Sequence, residues 1–116
     1  MKKREIYNRQ TGCSVENTVQ FISGKWKSVI MYHLLNNSTQ RFGQLNAKIP
    51  SCTPRMLARQ LNELEQDGLV EKHVYETVPM VTDYSATAFG QSLAPVITAM
   101  SDWGDKYNAL AKAHAK

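Results

Sequence analysis

One predicted helix has both of its ends marked in the sequence, between residues 53 and 68. Thr53 suits the N-cap, and Pro54 suits the first helical position, where the N–H group that proline lacks has no helical partner anyway. Gly68 is the residue type that most often follows the end of a helix. Between these ends, leucines recur at steps of four and three residues and share one face: Leu57, Leu61 and Leu64. The chain must therefore fold so that this helix packs its leucine face against a core.

The opposite face of this helix carries positive charge. At about 100° per residue, Arg55 and Arg59 point away from the leucines, while Met56 and Gln60 lie on the flanks. Residues 41–60 contain no Asp or Glu, and their basic residues are Arg41, Lys48, Arg55 and Arg59. The rest of the chain is neutral, since its remaining ten Lys and Arg residues balance the 10 Asp and Glu residues. A positive region on a neutral body is typical of a surface that binds a polyanion, and the alternative is a solvated basic face.

Helical patterns come before the marked helix. Ser14 suits the cap of a first helix, and a second helix is predicted from about Lys25. The segment Gln40 to Phe42 is expected to be extended, and a brief third helix stops at Pro50. The apolar positions of these helices are Val15, Val19 and Ile22, then Trp26, Val29, Ile30 and Leu34, then Leu45 and Ile49.

Strand patterns follow Gly68, and a last helix follows the strands. Residues 69–77 and 81–86 indicate two strands joined by a turn at 78–80. Thr87 suits the N-cap of a long final helix, in which Pro95 either introduces a kink or shifts the start. The apolar residues of that helix recur every three or four positions: Leu93, Val96, Ile97, Met100, Trp103, Tyr107 and Leu110.

Two short helices joined by a tight turn, with a hairpin directly behind the second one, form a winged helix-turn-helix. We therefore predict a mainly α-helical (α+β) fold with a small β-hairpin, in a single domain over residues 1–116. Its predicted parts are a basic N-terminal arm (1–12), helices one and two (14–35), the helix-turn-helix (43–67), the wing (69–86) and a C-terminal dimerisation helix (87–112).

Double-stranded DNA is the partner that this arrangement predicts, because the major groove accepts an α-helix. The planar donors of arginine match guanine, and Gln60 can pair with adenine. Free N–H groups at the helix start suit a phosphate, and we expect the hairpin tip along the DNA backbone or in the minor groove. The predicted DNA-contacting residues are Arg41, Ser51, Thr53, Pro54, Arg55, Met56, Arg59, Gln60 and Lys72.

Five pieces of the sequence, in this order, resemble a known family, the HxlR-type winged helix-turn-helix regulators of bacteria, which are MarR-like. The resemblance runs from about Cys13 to Trp103. Single pieces such as GKW or DGLV are weak signals, but the ordered set is specific. The matching pieces are CSVENTVQFISGKWKSVIMYHLL, RFGQL, TPRMLARQLNELEQDGLVEK, VYETVP and YSATAFGQSL.

The resemblance implies a homodimeric transcription regulator, expected to be a repressor, whose recognition helix matches Pro54 to Asp67 and whose subunits join through the first and last helices. Two recognition helices about 34 Å apart would then meet a near-palindromic operator. Two positions depart from the family pattern, since Lys72 replaces the usual arginine after DGLV and Met80 replaces the second proline of the wing turn. Independently, a chain of this size has little core left for the end of the last helix, so either a partner subunit or its own first helix covers it. The candidate dimer-interface residues are Val19, Ile22, Val96, Met100, Trp103 and Tyr107.

Cys13 lies at the start of the first predicted helix. The basic residues before it are Lys2, Lys3, Arg4 and Arg9. A helix N-terminus and cationic neighbours both favour the thiolate, which is the reactive form of cysteine. The resemblance implies a sensing role for Cys13, since a matching cysteine senses oxidants or electrophiles in many HxlR-type regulators. The alternative is a thiol without chemistry. Cys52 either fills the turn before the recognition helix or forms a disulfide with Cys13 of the other subunit.

The sequence carries no motif of an enzyme, so we expect neither catalysis nor a cofactor. His33, His73 and His114 are scattered, and a metal sensor built from the two cysteines and a histidine lacks ligand spacing, so no metal site is predicted. No apolar run approaches the roughly 18 residues of a membrane span, and no secretory signal is present, so we expect a cytoplasmic protein. Two alternatives stay open: a DNA-binding regulator that answers a small-molecule ligand or a partner without thiol chemistry, and a winged helix that binds only proteins.

Overall fold

The computed structural model of the protein describes residues 12–115, so most of the predicted N-terminal arm, residues 1–11, lies outside the described part. The helices and strands of the described part follow the predicted order, except that the segment predicted to be extended forms a strand and the predicted final helix is divided into two. The elements are α1 (Ser14–Ile22), α2 (Lys27–Asn36), β1 (Thr39–Arg41), α3 (Phe42–Lys48), α4 (Pro54–Gln66), β2 (Val70–Tyr75), β3 (Val81–Ala86), α5 (Ala88–Gln91) and α6 (Ala94–His114).

The core lies between α2, α3, α4 and the sheet. The three predicted leucines of α4 are all buried, and they pack with Leu45 and Ile49 around α3. In α2 the buried stripe is shifted by one residue from the predicted one. Trp26 and Val29 are only partly buried, and the stripe consists of Lys27, Ile30, Met31 and Leu34.

The sheet has three antiparallel strands in the order β1-β3-β2, so the predicted hairpin gains a third strand. The segment predicted to be extended supplies β1, whose residues Thr39 and Arg41 pair with Ser85 and Asp83 of β3. Phe42, by contrast, starts α3 instead of extending the strand. The backbone of Arg41 makes this possible, because its N–H donates to Gln44 Oε1 at 2.9 Å and so closes the first turn of α3.

The predicted final helix is divided into two. Thr87 caps only the four-residue helix α5, where its Oγ1 accepts a hydrogen bond from Gly90 N at 3.0 Å. Pro95 lies in the first turn of α6, which is where a proline fits a helix. The same preference explains the division, since an uninterrupted helix from Thr87 would place Pro95 in its interior. At the other end of the chain, Cys13 and not Ser14 occupies the N-cap position of α1.

Candidate nucleic-acid interface

The start of α4 is a capped and solvent-exposed helix N-terminus, as predicted. Thr53 Oγ1 accepts a hydrogen bond from Met56 N at 3.1 Å, and Pro54 occupies the first turn. The turn before it is held from inside, because Asn46 Nδ2 donates to Cys52 O at 2.8 Å. Ser51, like Thr53 and Pro54, is exposed. The sequence between α3 and α4 thus folds into a short turn that leaves the first turn of α4 open to a ligand.

The two arginines of α4 point into solvent. Arg55 is exposed and makes no ion pair among the residues that the structure describes. Arg59 is also exposed, and its Nε lies 3.7 Å from Glu63 Oε2 one turn later in the helix. Met56 and Gln60 are half-buried on the flank, where Gln60 Nε2 donates to Met56 Sδ at 3.4 Å. The outer face of α4 therefore offers two guanidinium groups and a partly engaged glutamine.

Arg41 and Lys72 lie on the sheet and not on α4. Lys72 is exposed on β2 opposite Tyr84, and Arg41 pairs with Asp83 across the neighbouring strands. A hydrogen bond to Asp83 and the negative charge of that residue raise the pKa of Tyr75, and the nearby Arg41 opposes part of this rise. Arg41 thus lies on the strand next to the β2–β3 hairpin, whereas Arg55 and Arg59 lie on α4.

The hairpin of β2 and β3 is not basic. Lys72 is the only Lys or Arg in residues 69–86, which also contain Glu71, Glu76 and Asp83. The tip is apolar, with Val78 fully exposed and Met80 largely exposed. The wing therefore carries one cation against three acids, whereas residues 41–60 carry four cations and no acid.

A buried ion pair on α4 was not predicted. Lys27, the first residue of α2, is buried, and its Nζ lies 2.7 Å from Glu63 Oε1 of α4. Sequence reasoning missed Lys27 because it assigned the neighbouring positions to the buried stripe. The sequence does contain the spacing that marks one helix face, i, i+3, i+4 and i+7, at Lys27, Ile30, Met31 and Leu34.

The two cysteines have opposite environments. Cys13 is exposed, and its pKa is lowered because the backbone N–H groups of Glu16 and, to a smaller extent, Val15 stabilise the thiolate. Cys52 is 2% exposed, and burial raises the pKa of its thiol, although the charge of Lys25 opposes part of the rise. The four basic residues predicted to assist Cys13 lie outside the described residues. In this conformation Cys13 is the accessible and more acidic thiol, and Cys52 fills the turn.

The candidate dimer-interface residues form apolar surfaces on α1 and α6. Val19 and Met100 are exposed and Ile22 and Val96 half-buried, while α1 contains no fully buried residue. Trp103 is 68% exposed and stacks on Tyr107 with ring centroids 6.2 Å apart. The described part of their own chain thus leaves Val19, Met100, Trp103 and Tyr107 exposed and covers Ile22 and Val96 only in part.

Neither a metal site nor a membrane span stands out in residues 12–115. No group of three or more His, Cys, Asp and Glu side chains in this range could hold a metal ion. None of the helices in it combines the length and the apolar character needed to cross a membrane. His73 Nδ1 instead lies 3.0 Å from Asp83 Oδ1 across the hairpin.

Residues 21–112 match the model of the HxlR-like helix-turn-helix family. The chain belongs to this family. The HTH-type transcriptional regulator YdeP of Bacillus subtilis (strain 168) is 48% identical over 96 residues, which are 83% of this chain and 74% of YdeP. Among solved structures, the redox regulator HypR in its reduced form superposes with a TM-score of 0.80 at 39% identity and covers 88% of this chain and 100% of its own.

A MarR-family transcriptional regulator from Porphyromonas gingivalis W83 is similar as well, with a TM-score of 0.75, 31% identity and coverage of 83% of this chain and 96% of its own. These relatives confirm the predicted family and winged-helix fold. The chain is thus a transcriptional regulator with a helix-turn-helix DNA-binding fold, and its relatives are regulators and not enzymes.

Proposed function

We propose that the chain is a homodimeric repressor that binds a near-palindromic DNA duplex and that oxidation of Cys13 controls this binding. The observation that carries the proposal is the N-terminal half of α4. That half is capped by Thr53, exposed on its outer face, and contains two arginines and no acidic residue between Pro54 and Gln60. A duplex is the polyanion that such a helix fits, because its major groove admits one α-helix with its N-terminal residues at the base edges.

The roles of the predicted contacts divide by their place in the fold. Arg55 and Arg59 on α4 would enter the major groove with Met56 and Gln60 beside them. The exposed helix start at Ser51, Thr53 and Pro54 would face a phosphate. Pro54 has no N–H and Met56 N–H is bonded to Thr53, so the N–H of Arg55 would be the donor in the first turn. Arg41 and Lys72 on the sheet would contact the DNA backbone to either side of the groove.

Selection of duplex oligonucleotides by the purified protein, followed by titration of the selected duplex, tests DNA binding. We expect the double substitution Arg55→Ala and Arg59→Ala to weaken binding at least about tenfold. The slope of the logarithm of the binding constant against the logarithm of the salt concentration should become less negative by about 0.9 for each phosphate interaction that the substitutions remove. Lys112→Ala, at the exposed end of α6, is the matched control for loss of a cation and keeps full affinity. A folded double variant that binds the duplex as tightly as the original chain contradicts the proposal.

Homodimerisation is supported by the apolar surfaces of α1 and α6. A second copy related by a two-fold axis would cover Trp103 and Tyr107, together with Val19, Met100 and their half-buried neighbours Ile22 and Val96. Sedimentation equilibrium tests this: the original chain should sediment as a dimer, and Trp103→Glu should shift it towards the monomer with a loss of duplex affinity. A monomeric original chain that still binds a two-fold-symmetric duplex contradicts this part of the proposal.

Redox control is supported by the exposed, more acidic thiol of Cys13 and by the similarity to the redox regulator HypR. In the proposed reaction the Cys13 thiol and the partner subunit's Cys52 thiol form one disulfide, and an oxidant such as diamide takes up the two electrons and two protons. Because Cys52 is buried, this disulfide requires the turn before α4 to open, which would displace the recognition helix.

The test compares duplex binding and non-reducing gels with and without diamide or a quinone for the original chain, Cys13→Ser and Cys52→Ser. We expect oxidation to release the original chain from DNA and to leave Cys13→Ser bound. A Cys13→Ser variant that responds as strongly as the original chain rejects the sensing role. Oxidised original chain that runs only as a monomer rejects the disulfide between subunits.

A further inference from the structure

The carboxylate of Glu63 lies between two cations of very different exposure. Lys27 Nζ is 2.7 Å from Glu63 Oε1, and the two side chains are 5% and 22% exposed. Arg59 Nε is 3.7 Å from Glu63 Oε2, and the Arg59 side chain is 71% exposed. One acidic group therefore connects the first residue of α2 to an arginine on the outer face of the recognition helix α4.

The two ion pairs differ in strength. The Lys27–Glu63 pair is short and shielded from water, so its attraction is weakly screened, and an ammonium without its partner at this depth would be unfavourable. The Arg59–Glu63 pair is longer and faces solvent, where such pairs contribute little. Glu63 is consequently held by Lys27, and only a small part of its attraction acts on Arg59.

We infer that Lys27 is a positioning residue for DNA binding: it holds and neutralises the Glu63 carboxylate so that Arg59 stays available to the duplex. This inference rests on the proposed function of α4. Without the Lys27 ammonium, the attraction that holds the Glu63 carboxylate towards α2 is lost, and the carboxylate remains one helical turn from Arg59. Arg59 would then pair with Glu63 at the expense of a phosphate or a base edge.

The experiment measures duplex affinity and its salt dependence for Lys27→Met, Arg59→Ala and the double variant Lys27→Met with Glu63→Gln, on the duplex selected by the original chain. Methionine keeps the length of the lysine side chain without its charge. We expect Lys27→Met to bind about threefold to fivefold more weakly, the range of an exposed ion pair that must be broken on binding. Its salt slope should fall towards that of Arg59→Ala.

The double variant supplies the decisive result. Glu63→Gln alone leaves a buried ammonium without its carboxylate, whereas removing both charges leaves neither a buried ion nor a competitor for Arg59. We expect the double variant to recover the affinity and salt slope of the original chain. Combining Lys27→Met with Arg59→Ala should give no greater loss than Arg59→Ala alone, because the two substitutions act on the same interaction with the duplex.

A purely structural role of Lys27 gives a different pattern. Lys27→Met would then lower the melting temperature but leave the salt slope of the folded fraction unchanged, and adding Glu63→Gln would not restore any affinity. That pattern overturns the inference. A Lys27→Met variant that binds the duplex as tightly as the original chain overturns it as well. Failure of the proposed function looks different again, because in that case Arg59→Ala and the double arginine variant themselves leave duplex affinity unchanged.

Discussion

Gly90 of α5 allows a close backbone approach that a single methyl group should prevent. A Cβ atom placed on Gly90 would lie 2.0 Å from the carbonyl oxygen of Leu69 and 3.0 Å from its carbonyl carbon. Leu69 lies three residues after the last residue of α4, and hydrogen bonds fix its backbone on both sides. Its N–H donates to Leu64 O at 3.0 Å, and its carbonyl oxygen accepts from Thr87 N at 3.1 Å. Gly90→Ala therefore forces apart two backbone segments that hydrogen bonds hold together.

The size of the effect follows from opposing contributions. Alanine is favoured over glycine in a helix by about 1 kcal/mol, but that gain shrinks in a helix as short as α5. Overpacking costs about 1–3 kcal/mol, and a clash with backbone instead of a flexible side chain belongs at the upper end of this range. Weakening the hydrogen bond from Thr87 N to Leu69 O adds about 1 kcal/mol. We expect a net loss of about 3–4 kcal/mol in the free energy of unfolding.

Thermal and urea unfolding followed by circular dichroism measure this loss. For a domain of this size, about 3–4 kcal/mol corresponds to a decrease of roughly 15 °C in Tm. Gly43→Ala is the matched control, because Gly43 is also helical and a Cβ there has no atom within 4 Å. That control should raise the stability by about 0.5–1 kcal/mol. A Gly90→Ala variant as stable as the original chain, or more stable, refutes the reasoning.

Three further predictions concern α4 and the thiols. Thr53→Ala removes the cap of α4 and should destabilise the protein by about 1 kcal/mol in urea unfolding, with Thr53→Ser close to the original. Leu61→Ala should reduce the free energy of unfolding by about 2–5 kcal/mol, measured the same way, because Leu61 is buried in the core. Since the thiolate is the reactive form, the rate of Cys13 alkylation by iodoacetamide should rise with pH at a lower midpoint than the rate for a free cysteine. Cys52 in the native protein should stay unreactive because it is buried. Equal alkylation rates for the two cysteines contradict this prediction.

Sequence reasoning predicted α4 because everything that defines this helix is local. Thr53, Pro54 and Gly68 mark the ends through backbone preferences that do not depend on the rest of the fold, and the positive φ of 80° at Gly68 shows the conformation that favours glycine there. The leucine spacing fixes the buried face, and the positions of Arg55 and Arg59 follow from helix geometry alone. The same local reasoning predicted the hairpin of β2 and β3.

Other features depend on contacts between segments far apart in the sequence. The extended segment before α3 becomes a strand only because β3 offers a free edge for Thr39 and Arg41. That pairing places Arg41 beside Asp83, so a basic residue that the sequence window groups with α4 lies on the sheet. The division at Pro95 was open from the sequence, since a proline inside a helical pattern allows either a kink or a new start.

Lys27 shows why charge cannot be assigned from sequence windows alone. Residues 41–60 contain four cations and no acid. Arg41 lies on β1, and Lys48 at the end of α3 donates from its Nζ to Gln40 Oε1 at 2.7 Å. Of the four cations, Arg55 and Arg59 are therefore the ones on the outer face of the recognition helix. The charge that acts on Arg59 comes from Glu63, just past the window, and that charge is balanced from α2. The electrostatic character of a recognition helix is therefore a property of its packing, and in this protein a buried lysine on a neighbouring helix is part of it.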